Sequence, residues 1–138
     1  MKRKKLNPFQ EPWRLCKILE NAWSKNTSAD PEHWRKDSPA WGQCAVTALV
    51  VQDYFGGELL RTEARMSWST KPISHYFNLL PDGRHIDLSR QQFPLGTNFS
   101  TSAVRAREYV LDPKFSTRKR YRLLKRRISR ILKNRRLA

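Results

Sequence analysis

The sequence predicts an α+β domain, and three stretches predict it. From Cys44 to Phe55 only Thr47, Gln52 and Asp53 are strongly polar. A helix apolar on nearly every side is a central, buried one. Ile73 to Leu80 alternates Ile73, His75, Phe77 and Leu79 against Ser74, Tyr76, Asn78 and Leu80, and Pro81-Asp82-Gly83 then supplies a turn into Arg84 to Leu88. That is the pattern of an antiparallel hairpin. From Thr117 onward Tyr121, Leu124, Ile128 and Ile131 or Leu132 recur at helical spacing among arginines and lysines, an amphipathic basic helix. The expected architecture packs the central Cys-bearing helix on a small antiparallel sheet. Residues 1–12 form a basic N-terminal extension, 13–113 the body and 114–138 the basic C-terminal helix.

Composition narrows the function classes. A chain of 138 residues suits one domain with a real core. Two cysteines without C-x-x-C spacing exclude a disulfide framework and a zinc finger. The start MKRKK is followed by no apolar run, which argues against a signal peptide, and no window approaches membrane-spanning length. The expected home is a reducing cytoplasm. Of the +16 formal charge, residues 2–5 carry four basic groups, residues 114–138 carry twelve and no acid, and residues 6–113 are balanced. The expectation is a neutral globule with basic ends.

In chain order, WRLCKILENAW (13–23) places Trp13, Cys16, Leu19 or Ala22, and Trp23 at helical spacing behind Pro12; Cys16 reads as a packing residue. Residues 24–41 are a long connection. Trp34 and Trp41 in it are candidates for a substrate cleft, although packing is the commoner role of such rings. Gly42 and Gly56-Gly57 flank the central helix as caps, which sets Cys44 in its first turn; a start at Ser38-Pro39 would move Cys44 to the second. Glu58 to Arg65 reads as a strand, 66–72 and 89–102 as loops, and Ala103 to Leu111 as a strand or a short helix. His75 aligns with the apolar set and is expected to face the central helix.

The hairpin register decides whether Asp87 helps His75. A three-residue loop sets Leu80 opposite Arg84 and Asp87 opposite Phe77, diagonal to His75 on the same face. A two-residue loop would turn Asp87 to the other face, and the apolar Ile86 and Leu88 favour that slip. The turn chemistry of Pro81-Asp82-Gly83 favours the first register.

Cys44 at a helix start, His75 on a strand and Asp87 on the next are the parts of a thiol nucleophile, its base and an orienting carboxylate. Unpaired N–H groups and the helix dipole at such a position favour the thiolate. The plainer alternative for Cys44 is a small hydrophobe at the end of a core helix. The backbone N–H of Cys44, with Gln43 or Asn78, is the candidate oxyanion donor set. No cofactor is implied, and Cys16, His33 and His85 lie at no metal-ligand spacing, so no metal site is expected.

The words GQCAVTALVVQDYFGGELLR and SHY…LPDG…IDLS resemble the nucleophile helix and His-to-Asp hairpin of the papain-like and transglutaminase-like superfamily. The run from Trp23 through Trp41-Gly42-Gln43-Cys44 to Asp87-Leu88-Ser89 and Gln92-Phe93 is similar to the YunG-like family of small bacterial proteins. That resemblance covers most of residues 13–93. It implies a papain-like fold and the triad, not a substrate. The resulting expectation is a hydrolase or acyltransferase acting on an amide, isopeptide or ester, such as a peptide or small acyl compound. The alternative is a non-catalytic binding module that engages nucleic acid or another anionic surface through the basic helix. Arg118, Arg122, Arg126 and Arg130, four residues apart, are its candidate anion-binding row.

Overall fold

A computed structural model describes residues 7–137. A 3₁₀ turn over Pro12–Leu15 leads into α1 (Cys16–Ala22); α2 (Cys44–Phe55), β1 (Glu58–Arg65), β2 (Ile73–Leu79) and β3 (His85–Ile86) follow. The chain continues with β4 (Asn98–Phe99), β5 (Ala103–Arg105), α3 (Arg107–Val110) and α4 (Thr117–Leu137). All pairings are antiparallel, in the order β3-β2-β1-β4, with β5 also on β1. The fold is a mixed α+β domain. Among the described residues no helix is long and apolar enough to cross a membrane.

Helix α2 is the spine. Ala45 through Val51 are buried without interruption. Val46, Val50 and Val51 pack with Leu15, Ile18, Leu19, Leu124 and Ile128 of the N-terminal turn, α1 and α4, while Ala45, Ala48 and Leu49 pack on Leu59 and Tyr76 of the sheet. Its one buried hydroxyl, Thr47, accepts from the Trp23 indole at 3.0 Å. The helix stops where Gly56 and Gly57 turn to φ +73° and +82°. A Cβ at Gly57 would also meet the Leu79 carbonyl oxygen at 2.1 Å, so β1 starts hard against the end of β2.

Three expectations are corrected. Trp13 is 58 % exposed and Cys16 only half-buried, whereas Leu15, Ile18, Leu19 and Ala22 are buried. The α-helix begins only at Cys16, after a 3₁₀ turn, and a 3.6-residue repeat cannot be extended back through three residues per turn. His75 does not lie on the face of β2 against which α2 packs. That face carries Tyr76, and Asn78, whose carboxamide donates to the Ala48 carbonyl at 2.9 Å. His75 belongs to the alternate set, where Phe93 and Phe99 cover it. Finally, residues 89–102 are not loop throughout: β4 at Asn98–Phe99 runs along β1 ahead of β5, the two joined where Ser100 Oγ accepts the Glu63 N–H at 2.9 Å. Residues 103–110 then form a strand followed by a short helix.

Helix α4 is part of the core. Leu124 and Ile128 are fully buried, with Tyr121, Ile131 and Leu132 packed around them. Asp53 of α2 ties it down, pairing with Lys125 at 3.1 Å and Arg107 at 2.9 Å and accepting from the Tyr121 hydroxyl. Burial, then the bond to Asp53, pushes the Tyr121 phenol up to about 12. Arg127 donates to the Ala22 carbonyl at the end of α1 at 3.0 Å. The apolar stripe is therefore covered by the body and is not free to enter a lipid surface.

Candidate active site

Cys44 is the first residue of α2, with Gln43 as its N-cap; the earlier start at Ser38-Pro39 is not adopted, since Ser38 bridges to Arg35 and 39–42 are turns. The start is fixed by a tight approach of two loops. Gly42 stands at φ +73°, and a Cβ there would lie 2.2 Å from Ser28 Oγ and 2.9 Å from the Ala29 nitrogen. Ser28 Oγ donates to the Trp41 carbonyl at 2.8 Å, and the Ala29 N–H to that of Gly42 at 2.8 Å.

The histidine arrives from β2. Leu79 pairs with His85 and Asn78 with Ile86, and the Leu80 N–H donates to the Arg84 carbonyl at 2.8 Å. This is the register of the three-residue loop, and it carries Asp87 to His75's face. His75 Nε2 and Asp87 Oδ2 are 2.6 Å apart, with His75 1 % exposed. Because β3 pairs only with Asn78 and Leu79, the first half of β2 has no strand on its outer side. The α2 N-terminus reaches that flank: Cys44 Sγ lies 3.9 Å from the Ser74 carbonyl oxygen.

Charge in this site is set by a contest. Burial pulls the His75 imidazole down, but the hydrogen bond to Asp87, with the nearby Cys44 and the charge of both, outweighs it and raises the pKa to about 9. Nε2 is committed to Asp87, which leaves Nδ1 as the ring nitrogen not held by a carboxylate.

Gln92 completes the site, and residue-by-residue reasoning did not single it out. Its Oε1 accepts the Gly42 N–H at 3.2 Å, while its Nε2 donates to Ser89 Oγ at 3.2 Å and lies 3.4 Å from His75 Nδ1. Ser89 Oγ in turn is 3.4 Å from Asp87 Oδ1. A 3₁₀ turn over Arg90–Gln92 brings Ser89 and Gln92 together. The available signal was the spacing of a serine, an amide and a phenylalanine after Asp87.

Other candidates fall elsewhere. Gln43 is fully buried, its Nε2 donating to the Ser24 carbonyl at 3.0 Å. Asn78 is committed to Ala48, so neither carboxamide faces the thiol as a free donor. Trp34 donates to the Pro39 carbonyl and Trp41 to Asp30, both at 3.0 Å; Trp41 packs by Ala64, Met66 and Phe93. Neither borders the cavity beside Cys44, whose rings are Tyr76, Tyr109 and Phe115. Arg118, Arg122, Arg126 and Arg130 are all exposed on α4. His33 pairs with Asp30 in the loop, and His85 is exposed opposite Leu79. Among the described residues no group of three or more His, Cys, Asp or Glu side chains could hold a metal ion.

The fold and site thus define an α+β protein with a cysteine at a helix start beside a strand-borne His–Asp pair. The chain belongs to the YunG protein family, which it matches over residues 11–133. It is 34 % identical over 95 residues to the uncharacterized protein YunG of Bacillus subtilis (strain 168), covering 69 % of this chain and 74 % of that one. No solved structure matches it.

The raised His75 pKa has a defined consequence for stability. An imidazole raised on folding contributes stability that is complete below its unfolded value of about 6.5 and lost as pH rises through about 9. Asp87→Asn should therefore destabilise the fold by on the order of 2–3 kcal/mol near pH 6, with the deficit narrowing toward pH 10. Urea unfolding of both proteins at the two pH values measures this. A deficit independent of pH would mean that Asp87 does not hold an imidazolium.

Proposed function

We propose that the protein is a thiol-dependent hydrolase or acyltransferase of papain-like type, acting on an amide, isopeptide or ester. The observation that carries the reading is the buried His75, bonded to Asp87 at 2.6 Å, on the strand whose neighbouring Ser74 carbonyl oxygen lies 3.9 Å from Cys44 Sγ. Its support extends to the chain order, with the nucleophile on a helix, the base on the second strand and the carboxylate after the hairpin. Two free thiols, Cys16 and Cys44, suit the reducing cytoplasm in which we place it.

In this mechanism the Cys44 thiolate attacks the substrate carbonyl, forming an S–C bond and a tetrahedral oxyanion. The Cys44 backbone N–H, among the first-turn donors without an intrahelical partner, meets that oxyanion. The C–N or C–O bond breaks, and the His75 imidazolium protonates the leaving group. Water, or another nucleophile, then gives a proton to His75 and attacks the thioester. The S–C bond breaks, the acyl product leaves, and the thiolate is restored beside the imidazolium. Asp87 holds the ring and stabilises its charged form throughout. With p-nitrophenyl acetate we expect a burst of nitrophenol and an acetyl adduct on Cys44 by peptide mass. Cys44→Ala should abolish the adduct, and His75→Ala should slow its formation by roughly 10²–10⁴-fold. Acetylation that is equally fast without His75 would contradict the proposal.

A second, compatible reading rests on the row of exposed arginines at 118, 122, 126 and 130, which would meet nucleic-acid phosphates. Binding of a labelled RNA oligomer should weaken steeply with salt, and Arg122→Gln with Arg126→Gln should flatten that slope by about one for each phosphate no longer neutralised. Salt-independent binding would exclude it.

A further inference from the structure

The cavity beside the thiol, about 300 Å³ in volume, carries a feature that the hydrolase reading does not require. Its charged lining is two arginines, Arg61 from β1 and Arg120 from α4, beside Cys44, Tyr76, Tyr109 and Thr117, and no carboxylate borders it. Among the described residues neither arginine makes an ion pair. Arg61 Nε donates to Ser74 Oγ at 2.7 Å. Arg120 reaches only neutral oxygens at long range, Thr117 Oγ1 at 3.3 Å and the Thr27 and Phe115 carbonyls at 3.5 Å. Glu63, two residues along the same face of β1, is exposed and leaves Arg61 unpaired.

A half-buried guanidinium with no counter-charge is costly to keep. Burial lowers the pKa of Arg120, and its guanidinium lines the same cavity as the Cys44 thiol. A guanidinium's fork of donors matches a carboxylate or phosphate in geometry as well as charge. Asp53 of α2 is no partner for them, since it is taken by Lys125, Arg107 and Tyr121.

We propose that the acyl substrate of Cys44 carries an anionic group close to its reactive carbonyl, and that Arg120 and Arg61 bind that group. This rests on the thiol-hydrolase reading and adds the substrate class to it. It also gives the basic helix a local role, in which α4 supplies one wall of the cleft and one of its two charges.

The experiment compares two alkylating probes of the same size on the full chain in a Cys16→Ser background. Iodoacetate and iodoacetamide each form an S–C bond with Cys44 and release iodide, and only iodoacetate is anionic. The ratio of their rates, divided by the same ratio for N-acetylcysteine, reads the field at the thiol. We expect that quotient to exceed about 10 at low salt and to fall as salt screens the arginines. Arg61→Gln and Arg120→Gln should each lower it several-fold, while Arg120→Lys should retain most of it. Arg61→Gln keeps the test decisive should Arg120→Gln fail to fold. Succinate and inorganic phosphate, compared as competitors at equal ionic strength, tell a carboxylate from a phosphate by which slows the reaction more. A quotient near 1 that neither arginine changes overturns the inference. Cys44 inert to both reagents would instead overturn the hydrolase reading beneath it.

Discussion

The position at which α2 begins is the constraint on which the site depends. Were the helix to start one turn earlier, Cys44 would move away from the flank of β2 and lose the first-turn donors. The start is held by Gly42, which alone fits against Ser28 and Ala29, and by Gln92, which takes the Gly42 N–H. The same Gln92 lies against His75. One carboxamide therefore sets both the approach of the helix and the surroundings of the imidazole, and this couples the position of Cys44 to that of His75.

The sheet supplies the other half of that geometry. A short β3, bonded only to the last two residues of β2, leaves the outer flank of β2 open beside Ser74 and His75. A longer β3 would satisfy more backbone groups and would also close the place where the thiol meets the strand. His75 is consequently reached from two sides. Asp87 holds Nε2 from the hairpin, and the helix N-terminus brings the thiol from the opposite side of the sheet. Phe93 and Phe99 cover the ring, and the carboxylate at 2.6 Å outweighs the cost of charging it there.

The hairpin was legible in the sequence because turn chemistry and strand pattern are local. Pro81-Asp82-Gly83 predicted the register correctly against the apolar hint of Ile86 and Leu88, both of which pack against the main core from the end of the hairpin. The burial of α2 and its glycine stops were equally legible. The facing of His75 was not, because β2 is covered on both sides, by α2 on one and by the 93–99 segment on the other; alternation tells two faces apart without saying which meets the helix. The partners of the Gln43 and Asn78 carboxamides were not legible for a related reason. Their types suit an oxyanion donor, but a buried amide takes the nearest backbone carbonyl, here Ser24 and Ala48. Strands of two and three residues, such as β4 and β5, carry no period to detect. The basic C-terminal stretch was read as a helix from its stripe, while its place in the core with α1 and α2 depends on contacts that only the folded chain reveals.

The central claim is that the Cys44 thiol and the His75 imidazole act on each other across the flank of β2. NMR titration of the histidine ring carbons in wild type and Cys44→Ala tests it most directly, with His33 as an internal control. The account predicts that His75 titrates near 9 in the wild type and distinctly lower once the thiol is gone, the wild-type midpoint belonging to the coupled pair. An identical midpoint in both proteins would show that Asp87 alone sets the charge of His75, and that Cys44 is a core residue of α2 and not a nucleophile.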